Sequence, residues 1–524
     1  MKKIYVSILI LIIGTSVFAI GKVEEPPEEL PHFVIGFDSV PDSVPLTGAL
    51  GFYLGFALFE GLVTWNPQTL EAVPGVAESW EISGDGLTYT FKLRRNAVWS
   101  DGTPVTADQF IDAWLHILDP ETQNREEFSL FVFKGAEEFR TGEAGPEDVA
   151  IRALDEHTLQ FELVDPVPYA LFILGFKDFG PLPTHIIEKY GDQWTDPEVF
   201  VGNGPFVVAQ WLPGNRAVFR KSDNYWDRDS VRLGRVTILQ IEDPDTALDM
   251  FQAGEIDMTS MIVPYDQLVD LLSAPYIQLY PLFQTEYYYL NMKSPPLDDV
   301  RVRKALTISI NRAELIEKAL GGLGYPAFGL SPPMPFYPAV IGFEENTEKA
   351  RSHLSEAGYP QGEGFPEITL IYNDNRQKNI RTAEYIEQQW AENLGIVVNR
   401  QGMSWDDYRN AKGTGDFGIA RYGWWGHYLD PNCFLELFTG GYEKNPSGFS
   451  NSEYDGLLER ASRMPAGQER LDLLRKAEEI LINDEMVIIP LYYYMYEQCI
   501  DTEIWGGWYG NVMHVHPWKW IYRK

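Results

Sequence analysis

Cysteine is nearly absent. Cys433 and Cys499 are the only two in 524 residues, so no disulfide framework carries this fold, which must rest on hydrophobic packing; whether the two meet is open at this level. Basic residues are scarce too. Acidic residues outnumber them 76 to 42, a net charge of −34. That sign repels nucleic acid and anionic lipid, keeps the chain soluble and is compatible with cationic ligands. Catalytic signatures are also missing: there is no G-x-S-x-G elbow, no phosphate-cradling G-x-x-x-x-G-K-[ST], no H-E-x-x-H and no C-x-x-C. Paired carboxylates on separate strands would leave no local trace, so this lowers the case for an enzyme without closing it. His514 and His516 alternate within Met513-His514-Val515-His516-Pro517, but two histidines without a nearby carboxylate or cysteine fall short of a metal-ligand set. No catalytic residue, metal site or cofactor is assigned. No internal repeat of about 20 to 50 residues is present, which excludes a solenoid or propeller.

Long apolar runs are confined to the start. Lys2 and Lys3 precede Ile4 to Val17, and Val17-Phe18-Ala19 resembles a signal-peptidase site. The run is short for a spanning helix, which needs about 20 apolar residues, and the proline-rich segment Lys22 to Pro31 follows it. Residues 1–19 are therefore expected to be a cleaved signal peptide. With no cysteine near that point to accept a lipid, a free periplasmic protein is expected. The remaining chain, long enough for a large core, should divide into two or more domains. Aromatic residues are plentiful, with 15 Trp, 28 Tyr and 29 Phe; such rings suit peptide side chains and sugar faces equally.

Strand and helix patterns alternate along the chain. His32 to Phe37 reads as a strand, and Thr88 to Arg94 alternates polar and apolar residues behind the turn Ser83-Gly84-Asp85-Gly86. Thr106-Ala107-Asp108-Gln109 is a capping box opening a helix that Asp119-Pro120 ends. Helical spacing returns at Asp299 to Ser309, after Asn311, at Thr347 to Ala357, at Ile380 to Leu394 and at Gln468 to Asn483, with Gly358 and Gly395 as stops. Met486 to Tyr493 reads as a buried strand. The fold class is α/β, or mixed α+β, built as large lobes.

Several stretches resemble one family. They include Leu58-Phe-Glu-Gly-Leu-Val63, Gly75-Val-Ala-Glu-Ser-Trp80, Asp85-Gly-Leu-Thr-Tyr-Thr-Phe-Lys-Leu-Arg94 and Trp99-Ser-Asp-Gly-Thr-Pro-Val-Thr-Ala107. Gly202-Asn-Gly-Pro-Phe206, Asn224-Tyr-Trp226, Ala253-Gly-Glu-Ile-Asp257, the run Pro295 to Leu306, and Arg421-Tyr-Gly-Trp-Trp-Gly-His-Tyr-Leu-Asp-Pro431 follow in order. Together they resemble the family 5 extracellular solute-binding proteins, the oligopeptide- and dipeptide-binding components of ABC importers. The resemblance implies a two-lobed periplasmic binding-protein fold with an inserted domain and a ligand cleft. Domain I would comprise residues 32–62, 183–280 and 495–524, domain II residues 63–182, and domain III residues 281–494. It also implies capture of a peptide by hinge closure, delivery to the transmembrane permease subunits, a monomer, and no enzymatic activity.

Carried over by position, Trp405, Lys412 and Arg421 fall where the resemblance implies ligand-facing residues, and Trp424 and Trp425 are placed to stack on a ligand. Arg421 can pair with a peptide carboxylate or serve in a structural salt bridge; Lys412, beside Gly413, can equally be solvated surface. Successive strand residues face opposite ways, so one of the two tryptophans should turn toward the core. His427 departs from the family pattern, which has at this position an aspartate that accepts hydrogen bonds from the ligand's α-ammonium. A neutral imidazole offers one acceptor, and a protonated one repels an ammonium. A peptide with a modified or differently anchored amino end is then expected, with an oligosaccharide or other non-peptide solute as the alternative and a secreted hydrolase as the remote one. Asp430, before Pro431, is suited to cap the next helix.

Overall fold

The structure, a computed structural model, describes residues 30–122, 127–260, 270–440 and 445–524 together with Gln267. The expected signal peptide lies outside them. Among the described residues no helix is long and apolar enough to cross a membrane.

The chain opens on β1 (His32–Phe37) and then α1 (Gly48–Leu58). Four strands, β2 (Ala77–Ile82), β3 (Thr88–Leu93), β4 (Ile151–Asp155) and β5 (Thr158–Glu162), make an antiparallel sheet in the order β2-β3-β5-β4. The β2–β3 hairpin closes on the expected turn, where Gly86 has φ +77° and donates to the Ser83 carbonyl at 2.9 Å; a side chain there would be strained. Alternation in β3 buries Tyr89, Phe91 and Leu93. Helix α2 (Ala107–Leu118) covers this sheet with Phe110, Ala113 and Trp114. At its start the Gln109 side chain accepts from the Thr106 N–H at 3.1 Å and from the Trp99 indole at 3.0 Å, the reach-back half of a capping box.

The chain then returns to β1. Strands β6 (Phe206–Leu212), β7 (Arg216–Lys221), β8 (Arg235–Gln240) and β9 (Met258–Thr259) complete a five-stranded sheet, order β9-β1-β8-β7-β6. β1 is its parallel centre, paired His32↔Arg235 through Phe37↔Gln240.

A third sheet, order β11-β15-β10-β14-β12-β13, is built from β10 (Ile277–Leu290), β11 (Tyr325–Pro326), β12 (Ile368–Asn373), β13 (Val398–Met403), β14 (Ile419–Trp425) and β15 (Ile488–Cys499). Its helices are capped as their sequences require. The Asn311 side chain accepts from the Glu314 N–H at 3.0 Å, and Gly395 ends the helix Gln377–Leu394 with φ +71°. Gln468–Glu479 is α-helical and passes into a wider turn over Ile480–Asp484 before the last long strand. That strand extends beyond the Tyr493 expected from sequence. Its continuation is half-buried at Met495 and Tyr496 and then buried without polar–apolar alternation, carrying Glu497 and Gln498, whose amide donates to the Thr259 carbonyl at 2.9 Å.

β10 and β15 join the two halves. They pair antiparallel from Ile277↔Cys499, beside the five-stranded sheet, to Tyr289↔Ile488 in the heart of the third, with an irregularity between Pro281 and Thr285. Ile500 bridges Met258 of β9. The fold is thus mixed helix and sheet in two lobes, with two strands crossing between them. Cys433 and Cys499 are separate, buried free thiols.

His514 and His516 serve this crossing. Tyr53 of α1 bonds His514 Nε2 at 2.6 Å, and Tyr280 of β10 bonds His514 Nδ1 at 2.5 Å and His516 Nε2 at 3.2 Å. Burial depresses both imidazoles, His514 to about 3. They are neutral when folded and protonated when unfolded, so their contribution to stability is lost as pH falls below about 6.5. Burial pushes the Glu436 and Glu497 carboxyls up to about 7, which acts in the opposite sense, adding stability as pH falls from about 7 toward the ordinary carboxylate value. A Glu436→Gln/Glu497→Gln double variant should therefore lose stability more steeply than the parent between pH 6.5 and 4.5, read from urea midpoints; parallel curves would show that these groups do not offset one another.

Candidate functional site

Strand β14 is paired along one side only. Against β10 its register runs from Gln284↔Trp425 to Leu290↔Ile419, whereas against β12 it holds only Leu370↔Ile419 and Ile371↔Ala420. From Arg421 onward no strand among the described residues covers the second edge. The Tyr408 hydroxyl donates to the Arg421 carbonyl, which marks that carbonyl as pointing away from β10. By the two-residue period, the N–H and C=O groups of Gly423 and Trp425 lie along the same open edge. The other lobe approaches here. Phe52 of α1 lies 6.3 Å from Trp425 by ring centroids, and Tyr169 stacks on Tyr428 at 3.8 Å with the rings 12° apart. The edge therefore lies in the cleft between lobes.

One face of β14 carries Arg421 and Gly423. The Arg421 fork is bidentate to Glu286 of β10, Nε to Oε1 at 2.5 Å and Nη2 to Oε2 at 2.6 Å. Tyr494 accepts from Nη2 at 3.0 Å and donates to Glu286 at 2.5 Å, and Nη1 reaches Asn373 at 3.3 Å. Glu286 is fully buried. Burial opposes the guanidinium charge, but the Glu286 carboxylate outweighs it and holds the Arg421 pKa well above its usual value. A Cβ on Gly423 would lie 2.7 Å from Glu286 Oε2 and 3.0 Å from Arg421 Nη2, so only glycine fits beside the pair. Lys378, in the first turn of the helix Gln377–Leu394, sets its Nζ 4.3 Å above the Tyr494 ring. Burial lowers its pKa to about 8, partly countered by Glu286.

The opposite face carries Tyr422 and Trp424, stacked at 6.4 Å, with His427 5.0 Å beyond Trp424. Lys412, on the helix Trp405–Thr414, places Nζ 3.9 Å over Tyr422; burial lowers its pKa to about 8, with Arg421 repulsion adding to this. The Trp424 indole donates to the Cys433 carbonyl at 2.8 Å, and the His427 N–H to Cys433 Sγ at 3.0 Å.

The structure thus gathers Arg421, Trp424, Trp425 and His427 on β14 and the loop after it, with Lys412 joined through Tyr422. Trp424 and Trp425 face opposite ways, as alternation requires, and both are half-buried. Trp405 stands apart, 46% exposed, with its ring 5.8 Å from Tyr408. The His427 side chain is exposed. Asp430 accepts from the Asn432 N–H at 3.0 Å, as a helix-capping residue does, and is also held bidentate by Arg470 at 2.6 and 3.0 Å. Sequence reasoning missed Glu286, Tyr494 and Lys378. The one trace of Glu286 was a carboxylate inside the aromatic run Thr285 to Tyr289; Lys378, at the head of a polar helix, left none.

Residues 71–446 match the family model described as "Bacterial extracellular solute-binding proteins, family 5 Middle". The chain is 34% identical over 457 residues to the oligopeptide-binding protein OppA of Bacillus subtilis, covering 83% of this chain and 82% of that one. It is 32% identical over 447 residues to a probable deoxycholate-binding periplasmic protein of Escherichia coli, covering 83% and 82%. Among solved structures, a periplasmic oligopeptide-binding protein of Borrelia burgdorferi superposes with TM-score 0.80 at 35% identity, covering 95% of this chain and all of that one.

Removing one member of a buried ion pair strands the other, at a cost of about 3 to 5 kcal/mol, whereas neutralising both costs much less. Arg421→Ala should lower stability by that amount, and Arg421→Met/Glu286→Gln by clearly less. Urea denaturation of both variants checks this; equal losses would mean that the charge on Glu286 is not what Arg421 balances.

Proposed function

The chain belongs to the bacterial extracellular solute-binding proteins of family 5, and from that membership we propose that it captures peptides in the cleft between its lobes and delivers them to the transmembrane subunits of an ABC importer. The observation that carries the peptide reading is the open edge of β14. An extended peptide can pair with the outward groups of Gly423 and Trp425 as an added strand, held by main-chain bonds that ignore side-chain identity. Its side chains then project to either face of the strand, where water can adapt to each residue.

Trp424, Trp425, Lys412, His427 and the more distant Trp405 are the proposed ligand-facing side chains. Arg421 is proposed to act chiefly by holding the edge in register, since its fork is engaged by Glu286. The proposed domains are residues 32–62, 183–280 and 495–524 for domain I, 63–182 for domain II and 281–494 for domain III. Their support is that the three sheets segregate along these lines and that β10 and β15 cross near Pro281 and Met495. Closure about those strands needs only that ligand bind the closed form better than the open one. The protein is proposed to work as a periplasmic monomer without catalysis of its own.

A second reading, a non-peptide carboxylate, is favoured by the relative named for deoxycholate binding. Mass spectrometry of solute released on unfolding natively purified protein separates the two. Peptides are the expected result, and their amino ends would show what stands opposite His427; a steroid acid or other carboxylate without peptide would replace the first reading by the second, and a neutral sugar would overturn both.

A further inference from the structure

The chain carries 76 acidic residues against 42 basic ones, so a half-buried lysine that is not ion-paired with a carboxylate is out of keeping with the whole. Two such lysines flank the open edge of β14. Lys378 and Lys412 each rest on an aromatic face, Tyr494 and Tyr422 respectively, and neither forms an ion pair with a carboxylate among the described residues. Of the carboxylates that face Lys378, Glu286 is committed to Arg421, and Glu497 is pushed toward its neutral form by burial and makes no ion pair with the lysine; Lys412 is faced by the like charge of Arg421. Holding a lysine ammonium in such a setting is unfavourable unless a negative group meets it.

The two lysines lie on opposite faces of one strand. Lys412 is at Tyr422; Lys378 is at Tyr494, whose hydroxyl lies 3.2 Å from where a Gly423 Cβ would be. A strand laid along this edge sends successive side chains to opposite faces, and directly paired residues point the same way. The ligand residue opposite Tyr422 therefore turns toward Lys412, and its neighbour opposite Gly423 turns toward Lys378.

We propose that the preferred ligands are peptides with two adjacent acidic residues, one carboxylate received by Lys412 and the next by Lys378. The inference rests on the peptide reading above and adds a side-chain preference to it. Lys378 faces Glu286, Glu497, Arg376, Arg421 and the Tyr494 ring, and Lys412 faces Arg421, Tyr422 and Tyr289. Both have a pKa lowered to about 8 by burial. Binding a carboxylate raises a lysine pKa, so complex formation takes up protons near that pH and affinity for acidic peptides falls as pH rises beyond it.

Titration calorimetry with Ala-Ala-Ala-Ala, Ala-Glu-Ala-Ala and Ala-Glu-Glu-Ala tests this on the parent, Lys378→Met and Lys412→Met at pH 7 and 9.5. Ala-Glu-Glu-Ala should bind at least tenfold tighter than tetraalanine at pH 7. Each variant should bring that ratio down severalfold, and pH 9.5 should shrink it in the parent alone or most strongly there. A ratio near one in the parent, or one unchanged in both variants, overturns the acidic preference while leaving peptide capture in place. Failure of all three peptides to bind overturns the peptide reading and this inference with it.

Discussion

A carboxylate with no exposure sits at the centre of the six-stranded sheet, and much of the site follows from the need to satisfy it. Glu286 is answered by the Arg421 fork and the Tyr494 hydroxyl, three charge-assisted or charge-accepting bonds on two oxygens. That demand fixes the relative positions of the three central strands, because the partners come one from β14 and one from β15. It also forbids a side chain at Gly423, and so leaves bare backbone at the point where the strand edge opens. A pair of this kind adds little net stability over an apolar replacement; its value here is registry, since slipping β14 by one residue would aim Arg421 at the other face.

The lobes are held by two different sorts of contact. β10 and β15 are continuous, hydrogen-bonded strands that cross from one sheet to the other, with the Tyr53–His514–Tyr280 network at their base. Such a crossing bends more readily than it breaks. The other contacts across the cleft include side-chain ones, Phe52 with Trp425 close to that network and Tyr169 with Tyr428, each of a kind worth about 0.5 to 1.5 kcal/mol beyond burial. Continuous crossing strands together with a few modest ring contacts between the lobes are what a hinge requires.

The frame was legible because its signals are local. The turn before Thr88, the cap at Asn311 and the stop at Gly395 each depend on residues within a few positions of one another, and each stands where the sequence puts it. The strand beginning near Ile488 ran past its expected end because the reason for its continuation is remote: Gln498 is satisfied by Thr259. The site was half legible. Arg421, Lys412, Trp424, Trp425 and His427 were named, but the partner that engages Arg421 lies 135 residues away, and nothing local marks a glutamate in an aromatic strand as its match. Lys378 was invisible for the same reason, since only the fold lifts it out of a polar helix and sets it on Tyr494.

The two cysteines have a consequence for how the chain meets its surroundings. Each thiol is buried and unpaired, and burial drives both away from the thiolate form, Cys499 to about 11 and Cys433 further. Oxidation and exchange proceed through the thiolate, so the folded protein is close to redox-silent. Its maturation needs no disulfide to be formed or reshuffled, in an oxidising or a reducing medium alike.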